Sequence, residues 1–406
     1  MIAKTPRSKH IHPFPARMAP EIAIHALEKL NPGDIILDPM AGSGTVLHEA
    51  SLMGFTPIGF DLDPLAVLMT KVSTGGVNPL ILSNLLEKVL FSTEKVKLEN
   101  IRLTWIDDDK ETIDFINFWF AKKQIDDLRK ISFILSEYDT SYVNSLEVDA
   151  LRIALSRIII TKKIGASLAW DISHSRPHKV KETNDYDVIL GFEKSARAIL
   201  KIFSAQKVLV KGSIEMGDAR HLNLIPDKYV DAVITSPPYL NAIDYMRGSK
   251  FSLIWLGYSL SSLRVIRSNS IGAEKKLNVT TGAIEKIYNN VFGENQLEKK
   301  YASMIRRYIG DSLQLMSEIS RVLKTNRLAT IVIGNSTLKG VYIDNSKVFE
   351  YAGEVYGLSL TDVKKREIPL NMRYLPVPSN NLNSLSKRMK HEVILTFTNR
   401  PILTHQ

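Results

Sequence analysis

The 406-residue chain contains no cysteine. That absence excludes disulfide staples, thiolate metal sites and a cysteine nucleophile. No uninterrupted apolar run is long enough to span a bilayer. At the N-terminus, Lys4, Arg7 and Lys9 lead into His-Pro-Phe-Pro where a secretory leader would need an apolar core. The expected location is the cytoplasm, with no membrane partner. Two further absences narrow the function. No lysine follows the glycine turn at Gly42 and Gly44, so the turn is not a Walker phosphate cradle. The position where a dinucleotide fingerprint would carry its third glycine is Leu47, which disfavours a nicotinamide enzyme.

The composition is that of a globular protein, 44% hydrophobic and 24% charged, and its length suits one large α/β domain with insertions or two domains. The balance of 53 Lys+Arg against 43 Asp+Glu fits a polyanionic partner.

Residues 9–20 are too rich in proline for a helix and read as an extended arm. His10 and His12 have no further ligands nearby and read as solvent or phosphate contacts, so no metal is expected. A helix is expected from Pro20 to Leu30, ended by Asn31-Pro32-Gly33. The strand Asp34–Asp38, the turn Pro39-Met-Ala-Gly-Ser-Gly-Thr45 and a helix from Val46 to Met53 then form one unit. Gly42 and Gly44 let the backbone approach a ligand, and the helix N-terminus points N–H groups at it. A second strand, Pro57–Asp61, ends in an acid about 20 residues beyond the turn, where such folds hold ribose hydroxyls. Asp61 takes that role, with Asp63 as the alternative.

Beyond about Val72 the glycine loops disappear. Thr112–Leu135 and Val148–Ile164 carry apolar residues at helical spacing with lysine and arginine interleaved, including Lys162 and Lys163. Residues 73–206 therefore read as a mainly helical insertion, open to a role in DNA recognition, with a basic loop around Arg176. Trp105, Trp119 and Trp170 read as core. The α/β pattern resumes at Lys207–Val210 and Ser213–Glu215, followed by the loop Gly217-Asp-Ala-Arg220.

The β-branched run Asp231-Ala-Val-Ile-Thr235 stops abruptly in Ser236-Pro237-Pro238-Tyr239. Two prolines offer no N–H to a ladder, so the backbone leaves the sheet with free carbonyls beside an aromatic ring. The Ser236 hydroxyl and the Pro237 carbonyl can accept from an amine while Tyr239 lies on a planar ring. After Tyr239 a helical lid is expected, with Asn241, Asp244, Tyr245 and Arg247 in reach of a substrate, then a basic connector at about 258–300 with Lys275 and Lys276. A long amphipathic helix, Tyr301–Leu323, leads to the strand Leu328–Gly334. Arg373, Arg388 and Glu392 near the final strand, Val393–Thr398, are weaker candidates.

Ser-Pro-Pro-Tyr after a hydrophobic strand resembles the catalytic motif of the DNA amino-methyltransferases, whose serine form is most familiar from cytosine-N4 enzymes. Asp38-Pro39-Met40-Ala41-Gly42-Ser43-Gly44-Thr45 is similar to their S-adenosylmethionine motif. The resemblance covers roughly half the chain. It implies a Rossmann-like class I methyltransferase sheet, with residues 1–72 as arm and cofactor half and 207–406 as catalytic half. It further implies that Phe14 and Arg17 close on the methionine end of the cofactor, that Asp218 with Ala219 meets its adenine, and that Ser236, Pro237, Pro238 and Tyr239 carry catalysis. The implied partners are DNA and a restriction endonuclease. The implied activity is N4 methylation of cytosine, with adenine N6 and then an RNA base as alternatives. Methylation at cytosine C5, which proceeds through a cysteine adduct, is excluded by the missing cysteine.

Overall fold

In chain order the elements of this computed structural model are α1 (Pro20–Leu27), β1 (Ile35–Asp38), α2 (Thr45–Leu52), β2 (Thr56–Asp61), α3 (Pro64–Thr74), α4 (Pro79–Lys95), α5 (Thr104–Asp107), α6 (Lys110–Trp119), α7 (Lys122–Ser141), α8 (Leu146–Ile159), β3 (Ala169–Trp170), β4 (His178–Lys179) and α9 (Val188–Ser204). They continue as β5 (Ser213–Met216), β6 (Val230–Thr235), α10 (Tyr245–Leu253), α11 (Leu260–Ser268), α12 (Thr281–Phe292), α13 (Lys299–Val322), β7 (Leu323–Gly334), β8 (Ser336–Leu338), β9 (Val341–Ile343), α14 (Asn345–Val355), β10 (Leu358–Glu367) and β11 (His391–Asn399). The structure describes residues 11–14, 17–141, 145–161, 164–170, 177–205, 210–240, 245–271, 281–293, 298–338, 341–368 and 391–400. Among the sequence-level candidates, His10, Lys162, Lys163, Arg176, Asn241, Asp244, Lys275, Lys276, Arg373 and Arg388 lie outside the described residues, as do 207–209 of the expected Lys207–Val210 strand.

The chain divides into two units, one formed by Met1–Pro15, Asp63–Leu209 and Asp244–Val265, the other by Ala16–Leu62, Val210–Ile243 and Ile266–Gln406.

The second unit is built on a sheet of seven described strands in the order β10-β11-β7-β6-β1-β2-β5. The run from β7 to β5 is parallel, and β11 inserts antiparallel beside β7. Its central strands are short apolar runs, as expected where both faces are covered. Alternation then decides which side chain goes where. Ile36, Ala232, Ile234 and Val332 join the α1 and α2 side, while Leu37, Val233, Ile331 and Ile333 pack with α12, α13 and α14. Helices on both faces make the unit doubly wound, and the order in which the chain lays down its parallel strands reverses between β1 and β6. That reversal opens a crevice at the carboxyl ends of the two strands.

The first unit is mainly helical. Its central helix, α8, buries Val148, Leu151, Ile153, Leu155, Ile158 and Ile159, with Asp149 and Ser156 buried among them, and so is enclosed on most of its surface. α3, α4, α7 and α9 pack around it. Lys71 of α3 holds the buried Asp149 of α8 at 2.6 Å. The helical run expected over Thr112–Leu135 is two helices, because Phe120 turns to extended backbone (φ −135°) and buries its ring on Trp255. Of the tryptophans, Trp105 donates to the Ile254 carbonyl at 2.9 Å, Trp119 sits among Phe115, Phe118 and Phe251, and Trp170 is 37% exposed on the β3–β4 hairpin. No helix among the described residues is long and apolar enough to cross a membrane.

Candidate active site

Four parallel strands, β6, β1, β2 and β5, end side by side, and each delivers one of the stretches that the sequence singles out. β1 ends in Asp38, level with Gly59 of β2; β2 ends in Asp61, level with Met216 of β5. β6 ends in Thr235 beside Ile331 of β7. At about 4.8 Å between strands, these four ends make a ledge roughly 14 Å wide.

The turn after β1 is shaped by its backbone. Gly42 and Gly44 adopt φ of 51° and 74°, the left-handed region that side chains avoid. Ala41 N–H donates to the Phe60 carbonyl at 2.9 Å and Gly42 N–H to Asp61 Oδ2 at 2.7 Å, so the turn is tied to the end of β2. Gly44 occupies the N-cap of α2, and no side chain caps that helix. Ser43 and Thr45 share a hydroxyl contact at 3.0 Å. Pro39 and the buried Ala41 complete the turn.

Asp38 is buried at 3% exposure, and its Oδ1 accepts from Thr235 Oγ at 2.6 Å and from Met40 N–H at 3.1 Å. Burial pushes its carboxyl up to about 7, against the lowering effect of those hydrogen bonds and with a smaller push from Asp61. A single side chain thus joins the glycine turn to the strand that carries Ser-Pro-Pro-Tyr, across the crevice between β1 and β6.

Beyond Thr235, Ser236 donates its hydroxyl proton to the Val332 carbonyl at 3.0 Å. The bond uses the one donor of that hydroxyl, and an oxygen whose proton is so placed presents lone pairs. Pro237 is buried, while Pro238 and Tyr239 are half-buried, the tyrosine ring packed on the core formed with α12 and α13.

The loop after β5 brings Asp218 to the same ledge. Gly217 N–H donates to the Asp61 carbonyl at 3.1 Å, and a Cβ at position 217 would lie 2.7 Å from the Phe60 ring. Arg220, which the sequence reading passes over, holds both Asp218 oxygens, with contacts of 2.7 to 3.2 Å, and reaches Asp311 of α13 at 2.6 Å. Burial works against its charge, but hydrogen bonding to Asp218 and attraction to Asp311 and Asp218 outweigh it and hold its pKa above the ordinary arginine value. Ala219 is buried. No local pattern announces this fork, because Asp311 lies 91 residues away.

The remaining candidates fall elsewhere. Arg17 lies in the sheet unit and is half-buried. Phe14 belongs to the helical unit, where its ring stacks on Tyr245 of α10 at 5.5 Å and 10°. The arm there is pinned by Arg157, which donates to the Ile11 carbonyl at 2.6 Å, and by His12, 2.8 Å from Ser156. Asp63 also belongs to the helical unit and caps α3, Oδ1 accepting from Leu65 N–H at 2.9 Å. Glu392 lies on strand β11 and pairs with Arg366 of β10 at 2.5 Å. No cluster of metal-ligating side chains occurs among the described residues.

Residues 3–71 match a family model described as a DNA methylase. The Type II methyltransferase M.MvaI of Kocuria varians is 23% identical over 96% of this chain and 90% of its own length. The chain is thus similar to DNA methyltransferases over its whole length and to the DNA methylase family over its first 71 residues. A second relative, the Type II methyltransferase M.BsoBI of Geobacillus stearothermophilus, is 26% identical over 73% of this chain and 60% of its own length. A solved S-adenosylmethionine-dependent methyltransferase from Methanosarcina mazei gives a TM-score of 0.35 at 8% identity, covering 93% of this chain and 96% of that one, a likeness too slight to argue from. The sheet is Rossmann-like in its strand order, and the donor that the sequence motif at Asp38–Thr45 implies is S-adenosylmethionine. The ledge suits that donor. Its two left-handed glycines leave no Cβ above the α2 N-terminus, and acids stand at the ends of β2 and beyond β5 to accept from hydroxyl and amino groups.

Proposed function

We propose that this protein methylates the exocyclic N4 amine of cytosine in DNA, as the modification enzyme of a restriction-modification or related prokaryotic system with a partner endonuclease. The observation that carries the reading is the Ser236 hydroxyl, whose proton is directed to the Val332 carbonyl so that its oxygen is an acceptor. The names of the relatives, Type II methyltransferases, support the biological setting.

In this reading Gly42, Ser43, Gly44 and Thr45 cradle the methionine portion of the donor, Asp61 holds the ribose, and Asp218 with Ala219 flanks the adenine. Arg17 meets the carboxylate end. When bound, the donor supplies an electrophilic methyl group. The amine of cytosine is a weak nucleophile because its lone pair is delocalised into the ring. Ser236 Oγ and the Pro237 carbonyl each accept one N–H, which draws the nitrogen toward a pyramidal geometry, and Tyr239 stacks on the base. Serine is no base near neutral pH, so the proton leaves to water after transfer. In a duplex the base is first flipped out, at a cost of a few kcal/mol that stacking and phosphate contacts offset.

Adenine N6 is the second reading, because the matching family takes in N6- and N4-methylases alike. The test is transfer of labelled methyl from S-adenosylmethionine to unmethylated DNA, followed by digestion to nucleosides and mass spectrometry. N4-methyl-2′-deoxycytidine is the expected product. N6-methyladenine would overturn the choice of base, and label on RNA alone would overturn the DNA assignment.

A further inference from the structure

The positive charge of the chain is concentrated in one part of it. Residues 73–206 hold 19 Lys+Arg against 19 Asp+Glu, and residues 1–72 hold 6 against 7, whereas residues 207–406 hold 28 against 17. The helical insertion, the first place to look for DNA recognition, is electrically neutral. Some of its cations are also matched locally: Lys122 with Asp126 at 2.7 Å, the half-buried Lys179 with Glu182 at 2.8 Å, and Arg197 with Glu87 and Glu193, both at 2.8 Å.

Within the sheet unit the cations differ by end. At the amino ends of the strands they are matched by acids. Lys324 lies 2.9 Å from Asp231, Arg327 lies 3.0 Å from Asp231, and Arg321 lies 2.7 Å from Asp227 and 2.8 Å from Glu318. α13 runs into β7 without a loop, and its Asp311 meets Arg220 of the loop beyond β5. The residues before Asp311 therefore stand at the carboxyl end of the sheet, toward the ledge. There the first turn of α13 has no acid beyond Glu298 at its N-cap, and Lys299 and Lys300 are exposed. Lys300, Ser303 and Arg307 follow at i, i+3 and i+7 on one stripe. Arg307 Nη1 donates to Ser303 Oγ at 3.1 Å, and its buried Nε has no hydrogen-bond partner. Two lysines at the positive end of a helix dipole work against folding, so stability does not explain their placement. Arg306, by contrast, is spent on Glu285 at 2.6 Å and on the Tyr288 ring at 3.9 Å.

We propose that Lys299, Lys300, Ser303 and Arg307 of α13 form a contact surface for the DNA phosphate backbone, and that the helical insertion contributes little to electrostatic affinity. The proposal rests on the reading of DNA as substrate. Lysine and arginine neutralise phosphates and release counterions, and the serine hydroxyl adds a neutral donor.

The experiment measures binding of a fluorescent duplex by anisotropy over a salt series. One variant carries Lys299→Ala, Lys300→Ala and Arg307→Ala; a control of equal charge loss carries Lys88→Ala, Lys123→Ala and Lys201→Ala in the insertion. Each lost phosphate contact lowers the slope of log affinity against log salt by about 0.9. The α13 triple is expected to lower it by two to three such steps, roughly 2 to 3. The insertion triple should leave it near wild type, and the charge-keeping set Lys299→Arg, Lys300→Arg, Arg307→Lys should retain it. Equal effects of the two triples, or a larger effect of the insertion triple, overturn the proposal. If wild-type protein methylates DNA and the α13 triple keeps the full slope, the surface is wrong and the substrate reading stands. If the wild type shows no binding and no methylation of DNA, the substrate reading itself falls.

Discussion

Asp38 shows how one residue ties the two halves of the site together. Its Oδ1 takes the Thr235 hydroxyl from the strand before Ser-Pro-Pro-Tyr and the Met40 N–H from the glycine turn. Sequence reading places it among the cofactor residues, and its motif is legible there. Its bond to Thr235, 197 residues away, is not, since only sheet order sets β1 beside β6. Its carboxyl, raised to about 7 by burial, carries a signed prediction. The folded state binds the proton more tightly than the unfolded chain, so stability is greatest below about pH 4 and is lost as pH rises toward 7. Relative to Asp38→Asn, the wild type should lose stability between those limits, as read from urea unfolding at pH 5, 6, 7 and 8; parallel profiles would contradict this. Thr235→Val removes the bond at constant shape and should raise the KM for S-adenosylmethionine while lowering kcat, since it loosens both halves at once.

At the scale of elements, strand, turn and helix from Ile35 to Leu52 are legible because glycine placement and apolar runs are local signals. The start of β7 is not. Lys324, Asn326 and Arg327 hide a strand that begins at Leu323 and not at Leu328; Lys324 and Arg327 are there for ion pairs with Asp231 and Asp34, and Asn326 adopts a left-handed φ of 61°. Asp61 and Asp63, alternatives for one role, separate by element: the first ends β2 and holds Gly42 N–H, the second caps α3. Asp63→Ala should therefore cost about 1 kcal/mol of stability, the usual worth of a cap, with donor affinity unchanged in calorimetry. Asp61→Ala should weaken donor binding at least tenfold. Gly217→Ala sets a methyl against the Phe60 ring and should cost about 1 to 3 kcal/mol in urea unfolding, as overpacking does.

Over the whole molecule, the α/β sheet and the helical insertion are visible in the sequence as a change from glycine turns to helical spacing. What composition leaves hidden is the distribution of charge, because a net figure for 406 residues does not reveal that residues 73–206 are neutral and residues 207–406 basic. Chain order also hides the ledge itself. Asp38, Asp61, Asp218 and Ser236 span nearly 200 residues and become neighbours only through the strand order β6-β1-β2-β5. The claim that organises the molecule is that this ledge presents Ser236 as an acceptor to the substrate amine. Its most direct test is single-turnover methyl transfer by Ser236→Ala at saturating S-adenosylmethionine, with donor affinity measured alongside. The expected result is a rate lower by about 10² to 10³, as when one preorganised polar group is removed from a transition state, with donor affinity within twofold of wild type. An unchanged rate would contradict the account.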